Sequence, residues 1–201
     1  MKKQIAQGAE AILYKTDGEV IKDRISKKYR IKQIDDKLRK SRTQLEAKLM
    51  SAAARAGVHT PSILSQEKTK LKLEFIDGIK VRDWLDNTKS KDKIKKVCRE
   101  IGKSTAKMHS ANVIHGDLTT SNLIKKGNII YFIDFGLGMR SLRIENKAVD
   151  LHLFKECLVS KHHNIWKTCW EAFLKAYKPK QQEEIIKRLM IVEARGRYKT
   201  I

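Results

Sequence analysis

A chain of 201 residues with 41% hydrophobic content is long enough to bury a sizeable core and too apolar for a disordered polyelectrolyte. Its 44 Lys and Arg stand against 23 Asp and Glu, a net charge of +21 that exceeds the needs of solubility and points to an acidic partner, above all nucleic acid. No apolar run reaches the roughly 18 residues of a membrane span, and no His spacing suits a zinc site.

Cys98, Cys157 and Cys169 are far apart and odd in number. They read as reduced, buried thiols of an intracellular, cytoplasmic protein. The opening Met-Lys-Lys-Gln leads into a short strand and not into the apolar core of a signal peptide.

In chain order, residues 4–7, 11–15 and 19–23 are expected strands, with a turn at Thr16-Asp17-Gly18. Gly8-Ala9-Glu10 sits between the first two, where a nucleotide-covering loop is placed in kinases; a glycine in a plain hairpin is the other reading. Lys22 ends a Val-Ile-Lys run, the pattern of a strand lysine that contacts phosphates. From Lys22 to Arg42 there are ten Lys or Arg against three Asp. Arg24, Lys27, Lys28, Arg30 and Lys32 in this run are candidates for a nucleic-acid surface, and a solvated basic face is the alternative.

A helix is expected over 34–56, with Leu38, Leu45, Leu49, Ala52, Ala53 and Ala56 near one face and Gly57 as its stop. Glu46, at the edge of that face, could reach Lys22, or could pair with Arg42 on its own helix. Strands follow at 62–65 and 70–76, and Leu73-Glu74-Phe75-Ile76 lies where a kinase chain crosses between lobes. There the carbonyl of Glu74 and the amide of Ile76 can meet an adenine edge. The boundary divides the chain into an amino-terminal half, 1–76, and a helical half, 77–201.

A short helix is expected over 81–85, and a longer one after the cap Ser90, with Ile94, Val97, Cys98, Ile101 and Met108 on one face. Then comes His115-Gly116-Asp117-Leu118-Thr119-Thr120-Ser121-Asn122, whose Asp and Asn have the spacing of a kinase catalytic loop. A short strand, a Lys126-Gly127-Asn128 turn and the apolar run 129–133 lead to Asp134-Phe135-Gly136. Phosphoryl transfer needs magnesium, a positioned nucleophile and charge compensation. Asp134 and Asn122 are the candidate metal ligands, and Asp117 is the candidate to orient or deprotonate the acceptor. The bland reading, turn formers and a strand end, requires two motifs to coincide by accident.

The remaining helices are expected from about 147, over 163–177 and over 179–196, the last with Pro179 at its start. Trp166, Trp170 and Phe173 read as core. Arg195, Arg197 and Lys199 form a basic tail that reads as frayed or as reaching a phosphate or base.

These motifs, Q-G-A-E-A at 7–11, V-I-K at 20–22, L-E-A at 45–47, V-R-D at 81–83, H-G-D-L-T-T-S-N at 115–122, I-D-F-G-L at 133–137, V-D-L at 149–151 and R-G-R near the end, together resemble one family. It is the PRPK/Bud family, the small atypical kinases of the KEOPS complex, in a form similar to the stand-alone archaeal one. The resemblance implies an α+β, minimal protein-kinase-like fold: a five-stranded amino-terminal lobe with one main helix, and a reduced, mainly helical carboxyl-terminal lobe. It implies Mg2+ and ATP as cofactors, Ser/Thr kinase and ATPase activity, and a role in threonylcarbamoyladenosine modification of tRNA. The implied partners are the threonylcarbamoyl-transferase subunit, a small regulatory subunit and tRNA. By motif, Lys22 and Glu46 are the implied ion pair, Asp117 the catalytic acid or base, Asn122 and Asp134 the metal ligands, and Asp150 a brace for the catalytic loop.

Two departures from ordinary protein kinases matter. Gly116 stands where an Arg usually precedes the catalytic Asp, and no A-P-E follows Asp-Phe-Gly. A peptide-docking platform under phosphorylation control is therefore not expected. Two other readings stay open. A small-molecule phosphotransferase of the aminoglycoside-kinase type also carries H-G-D-x-x-x-x-N, though its substrates call for an acidic pocket. A non-catalytic RNA-binding scaffold is opposed by the intact Lys22, Asp117, Asn122 and Asp134 set.

Overall fold

The first three strands are β1 (Lys3–Gln7), β2 (Ala11–Thr16) and β3 (Glu19–Arg24), in a computed structural model that describes residues 2–8 and 10–197. Thr16 pairs with Glu19 across a two-residue turn, and Gly18 takes the positive φ of 74° that such a turn demands. After α1 (Lys32–Arg55), β4 (Ile63–Gln66) and β5 (Lys70–Glu74) complete a five-stranded antiparallel sheet of order β1-β2-β3-β5-β4. β5 ends two residues earlier than expected because its partner β3 begins at Glu19, opposite Glu74. Phe75 makes one further backbone bond, to Gly18 in the turn.

The end of α1 is legible atom by atom. Gly57 has φ 79°; its N–H donates to Ala54 O, and the N–H of the buried Val58 donates to Ala53 O. That is the paired bonding by which a left-handed glycine closes a helix. The buried face of α1 differs from the expected one. Thr43, Glu46, Ala47, Leu49, Met50, Ala52 and Ala53 are inside, whereas Leu38 and Leu45 are 38% and 40% exposed. α1 packs on β4, β5 and the short strands Val113–Ile114 and Met139–Arg140, and Leu38 and Leu45 turn to solvent instead of into that contact.

Beyond Ile76 come β6 (Ile79–Lys80), α2 (Val81–Asn87), α3 (Lys91–Ser110) and β7 (Val113–Ile114). Ser90 caps α3 as expected, its hydroxyl accepting from Lys93 N. A single 3-10 turn (Thr120–Asn122) precedes the hairpin of β8 (Leu123–Lys126) and β9 (Ile129–Phe132), to which β6 adds a third strand. β10 (Met139–Arg140) pairs back onto β7. The chain then folds as α4 (Ile144–Lys161), α5 (Trp166–Ala176) and α6 (Gln182–Arg197). α4 starts three residues before the expected Lys147, and α6 starts three after Pro179.

The core of this half is built on the α3–α5 and α4–α6 pairs, with Phe154, Trp170, Phe173 and Tyr177 inside, as the aromatic reading requires. Trp166 is only partly buried, against its edge. Among the described residues no helix is long and apolar enough to cross a membrane.

Candidate active site

Side chains alternate along a strand, so Lys22 and Arg24 on β3 point to the same face, towards α1. Both are buried there, and Glu46 of α1 stands between them. One carboxylate oxygen takes Lys22 Nζ at 2.7 Å and the other takes Arg24 Nη2 at 2.7 Å. Glu46, read from the sequence as lying at the edge of the apolar face, is 1% exposed. The partner read as its alternative, Arg42, pairs instead with Glu10, which also meets Arg24 at 3.4 Å.

Lys22 has a second partner. Its ammonium lies 2.7 Å from Asp134 Oδ1, which joins β3 to the end of the β8–β9 hairpin. Burial pushes the Lys22 ammonium down, but Glu46 and then Asp134 outweigh it and hold it above the ordinary lysine value. Burial likewise raises the Asp134 carboxyl, and Lys22 more than reverses this, leaving it below the ordinary range. Asp134 sits at φ 62°, a conformation Asp tolerates better than most residues, and its Oδ1 accepts from Gly136 N at 3.1 Å.

The loop 115–122 is held from below. The buried Asp150 of α4 accepts the backbone N–H groups of His115 and Gly116, each at 2.8 Å. His109 Nε2 reaches the same carboxylate at 3.2 Å, and His109 Nδ1 meets Tyr177 Oη at 2.7 Å. Burial raises the Asp150 carboxyl, but these donors outweigh it and keep the group below its ordinary range. The Asp150 carboxylate can only accept, so Nε2–H of His109 donates to it, and in the neutral ring Nδ1 accepts from the Tyr177 hydroxyl.

His115 ties the loop to the next strand, its Nε2–H donating to Ile133 O at 3.1 Å while Nδ1 accepts from Asp117 N at 3.3 Å. Only the neutral ring can do both, and burial pushes its pKa down. Gly116 explains the missing Arg: at φ 79°, a Cβ there falls 2.1 Å from Leu137 O, so no side chain fits.

Asn122 donates both ways through Nδ2, to Asp117 O at 2.9 Å and to Asp117 Oδ2 at 2.8 Å. That leaves its Oδ1 as the end of the amide suited to a cation. Asn122 and Asp134 open on one cleft of about 380 Å³ with Lys22, Glu46 and Ser121 on its polar side and Leu13, Val20, Leu73, Phe75, Ile76 and Ile133 among its apolar walls. Glu74 lines it too, its carboxylate held by Ser62 N and Oγ. Among the described residues no three His, Cys, Asp or Glu gather as a metal cage. One carboxylate and one amide oxygen beside a cleft fit Mg2+, which takes few protein ligands and completes its shell with phosphate and water.

Several expected site residues fall elsewhere. Gly8 makes the turn through a 2.9 Å bond to Ala11 O, but neither it nor Glu10 lines the cleft, because Glu10 is committed to Arg42 and Arg24. Arg24 is no part of a nucleic-acid surface: it is 4% exposed and bound to Glu46. Its place on the Lys22 face, two residues along the strand, is the signal that alternation offers. Arg30 pairs with Asp35 at 3.5 Å and Arg195 with Glu145 at 2.9 Å, while Lys28 and Lys32 are exposed. Ala9, Lys199 and the Arg197 side chain lie outside the described residues. Sequence reading missed His109 and Tyr177, whose identities carry no motif spacing.

Residues 12–150 match the model of the RIO domain family. A probable serine/threonine-protein kinase BUD32 homolog of Archaeoglobus fulgidus is 43% identical over 95% of this chain and 94% of its own length. The KEOPS complex subunit Bud32 of Pyrococcus abyssi is 38% identical over 98% of this chain and 96% of its own. A probable bifunctional tRNA threonylcarbamoyladenosine biosynthesis protein of Methanothermobacter thermautotrophicus is 40% identical over 96% of this chain, which spans 36% of that protein. The Rio2 kinase of Chaetomium thermophilum, solved as an ADP/Mg2+-phosphoaspartate complex, shares the fold at a TM-score of 0.64 with 15% identity, over 98% of this chain and 70% of its own.

Proposed function

Because the chain belongs to the Bud32 branch of the RIO-domain kinases, we propose that its cleft transfers or releases the terminal phosphoryl group of ATP in support of threonylcarbamoyladenosine formation on tRNA. The observation that carries this is the joining of Lys22, Glu46 and Asp134 at one cleft that Asn122, bonded to Asp117, also lines.

Asp134 and Asn122 Oδ1 are the residues to hold Mg2+, which supplies charge compensation on the phosphates when bound. Lys22, steadied by Glu46, swings its ammonium from Asp134 to phosphate oxygens. Asp117, fixed by Asn122 Nδ2, orients the acceptor and takes its proton as the new bond to phosphorus forms and the bond to ADP breaks. The apolar walls and the backbone of Glu74 and Ile76 receive the adenine. The halves 1–76 and 77–201 serve as the two lobes of one kinase-like domain. The partners on this reading are the threonylcarbamoyl-transferase subunit, a small regulatory subunit and tRNA, in the cytoplasm.

After Gly136 the segment is short and pinned, with β10 on β7, Ser141 N on Asn112 O, and Asn146 Nδ2 on Ser141 Oγ at 2.8 Å. Leu137 and Leu142 are 60% and 78% exposed, so among the described residues nothing packs over this segment, and on this reading it leaves the cleft open to water. Hydrolysis is therefore the favoured outcome and protein phosphorylation the slower one. Phosphate release and phosphoprotein formation are to be compared with and without the transferase subunit and tRNA. The expected result is release well ahead of phosphoprotein, at a partner-dependent rate. Equal rates that no partner changes would support a plain protein kinase instead.

A further inference from the structure

Thr120 begins the 3-10 turn that ends at Asn122, and its side chain is fully buried. Its hydroxyl lies 3.1 Å from His162 Nε2 and 3.4 Å from Cys157 Sγ. The other ring nitrogen, His162 Nδ1, lies 2.9 Å from Asp86 Oδ1, within reach of its charge but outside hydrogen-bond geometry. Asp86 belongs to α2, Cys157 to α4, and His162 caps the end of α4, so two elements converge on one turn of the catalytic loop.

A carboxylate, an imidazole and a hydroxyl in sequence form the constellation that activates a nucleophile. Here the hydroxyl has no exposed surface, so it meets no substrate and that reading fails. What remains is a chain of contacts with one direction. The Asp86 carboxylate, 2.9 Å from Nδ1, favours by its negative charge the tautomer that carries the proton there. Nε2 is then a lone pair and accepts from the Thr120 hydroxyl, whose oxygen is left to accept from the Cys157 thiol. Roles along the chain are set from the Asp86 end, which is half exposed, while His162 and Thr120 are buried.

The geometry points to Asp86, His162 and Thr120 as positioning residues for Asn122, the amide that would hold the metal. A three-residue 3-10 turn has little hydrogen bonding of its own; here Asn122 N bonds Thr119 O at 3.1 Å. Anchoring the Thr120 side chain supplies the orientation the turn lacks. Because Asn122 Nδ2 also holds Asp117, one anchor sets the metal amide and the catalytic acid together. This rests on the phosphotransfer reading of the cleft.

The test uses the full chain with three variants. Thr120→Val keeps the shape and removes the hydroxyl, Thr120→Ser restores it, and Asp86→Asn removes only the carboxylate end at a half-exposed position. With ADP bound, Mn2+ binding followed by electron paramagnetic resonance is expected to weaken about tenfold in T120V and D86N and to recover in T120S, the scale typical of losing an outer partner of a metal ligand. The Mg2+ concentration for half-maximal ATP turnover moves the same way. Nitrogen NMR of the wild-type imidazoles should show His162 as the Nδ1–H tautomer, shifting towards Nε2–H in D86N. Should T120V fail to fold, D86N and the tautomer decide. Wild-type His162 found as Nε2–H, or folded variants that bind Mn2+ as tightly as wild type, overturn the assignment. A wild-type chain that turns over no ATP would sink the phosphotransfer reading alone, with the tautomer and Mn2+ results still judging the anchor.

Discussion

Glu46 and Asp134 both hold Lys22, yet their loss has opposite consequences. Glu46 neutralises two buried cations, Lys22 and Arg24, and removing one partner of a buried pair strands the other charge. Glu46→Ala is expected to cost about 3 kcal/mol of unfolding free energy, at the low end for buried pairs because Asp134 and Glu10 remain. Asp134 is 49% exposed and Lys22 keeps Glu46 without it. Asp134→Asn also tolerates the φ of 62° and keeps the acceptor for Gly136 N. It should abolish Mg2+-dependent turnover while shifting stability by no more than about 1 kcal/mol; denaturant titration and ATP turnover on both variants check the contrast. Asp134 and three buried groups set the response to acid. His115 and His162 have pKa values lowered mainly by burial, so the unfolded chain binds protons first as pH falls. Their contribution is complete above the ordinary histidine value of 6.5 and is lost below it. Asp134 and Asp150 are depressed below 3.8, so their share persists to lower pH and goes last. Lys22, raised above 10.5, matters only on the alkaline side. Unfolding free energy should therefore fall in two stages below neutrality. A flat profile between pH 7 and 5 would show that these two imidazoles are not held neutral.

At the scale of elements, Gly102 lets α3 pack directly on the backbone of α5. A Cβ there falls 2.3 Å from the backbone oxygen of Phe173, which cannot turn aside as a flexible side chain would. Ala gains about 1 kcal/mol over Gly in a helix interior, but overpacking costs about 1–3 kcal/mol. Gly102→Ala is expected to lower the thermal midpoint, with turnover per folded molecule unchanged. A midpoint that rises would mean the helices can part at no cost. Elements with strong local signals were legible from the residues: the alternating strands, the Ser90 cap, the Gly57 stop and the two acidic motifs with a strand between. The misreadings share one cause. The buried face of α1 depends on where the helix meets its neighbours, and the apolar Leu38 and Leu45 lie outside that contact while Glu46 lies inside it. Arg24 was grouped with a basic run when its strand face decided its fate. The β7–β10 pair is two residues long on each side and has no pattern to read. Asp86, Thr120 and His162 meet only in the folded chain.

Over the whole molecule, a net charge of +21 matters for binding only where cations lack acidic neighbours. Much of the basic run at the head of α1 is already neutralised: Arg24 by Glu46, Arg30 and Arg39 by Asp35, and Arg42 by Glu10. Lys28 and Lys32 are exposed beside them. Farther along α1, Lys48 and Arg55 line a groove of about 540 Å³ with Ser51, Gln66 and Arg140, and among the described residues no acidic side chain shares it. Each cation that meets an RNA phosphate releases a counterion, so affinity falls with salt in proportion to the number of contacts. On the tRNA-binding reading, Lys28→Glu, Lys32→Glu, Lys48→Glu and Arg55→Glu should each weaken tRNA binding and lower the salt slope by about one. Arg30→Gln and Arg39→Gln should instead lower stability and leave the slope in place, because these guanidiniums serve Asp35. Titrating labelled tRNA at several salt concentrations separates the two groups. If the Arg30 and Arg39 variants lose as much slope as the four lysine and arginine reversals, the ion pairs with Asp35 open on binding and the whole run is the RNA surface. If no variant changes the slope, the charge serves some other acidic partner.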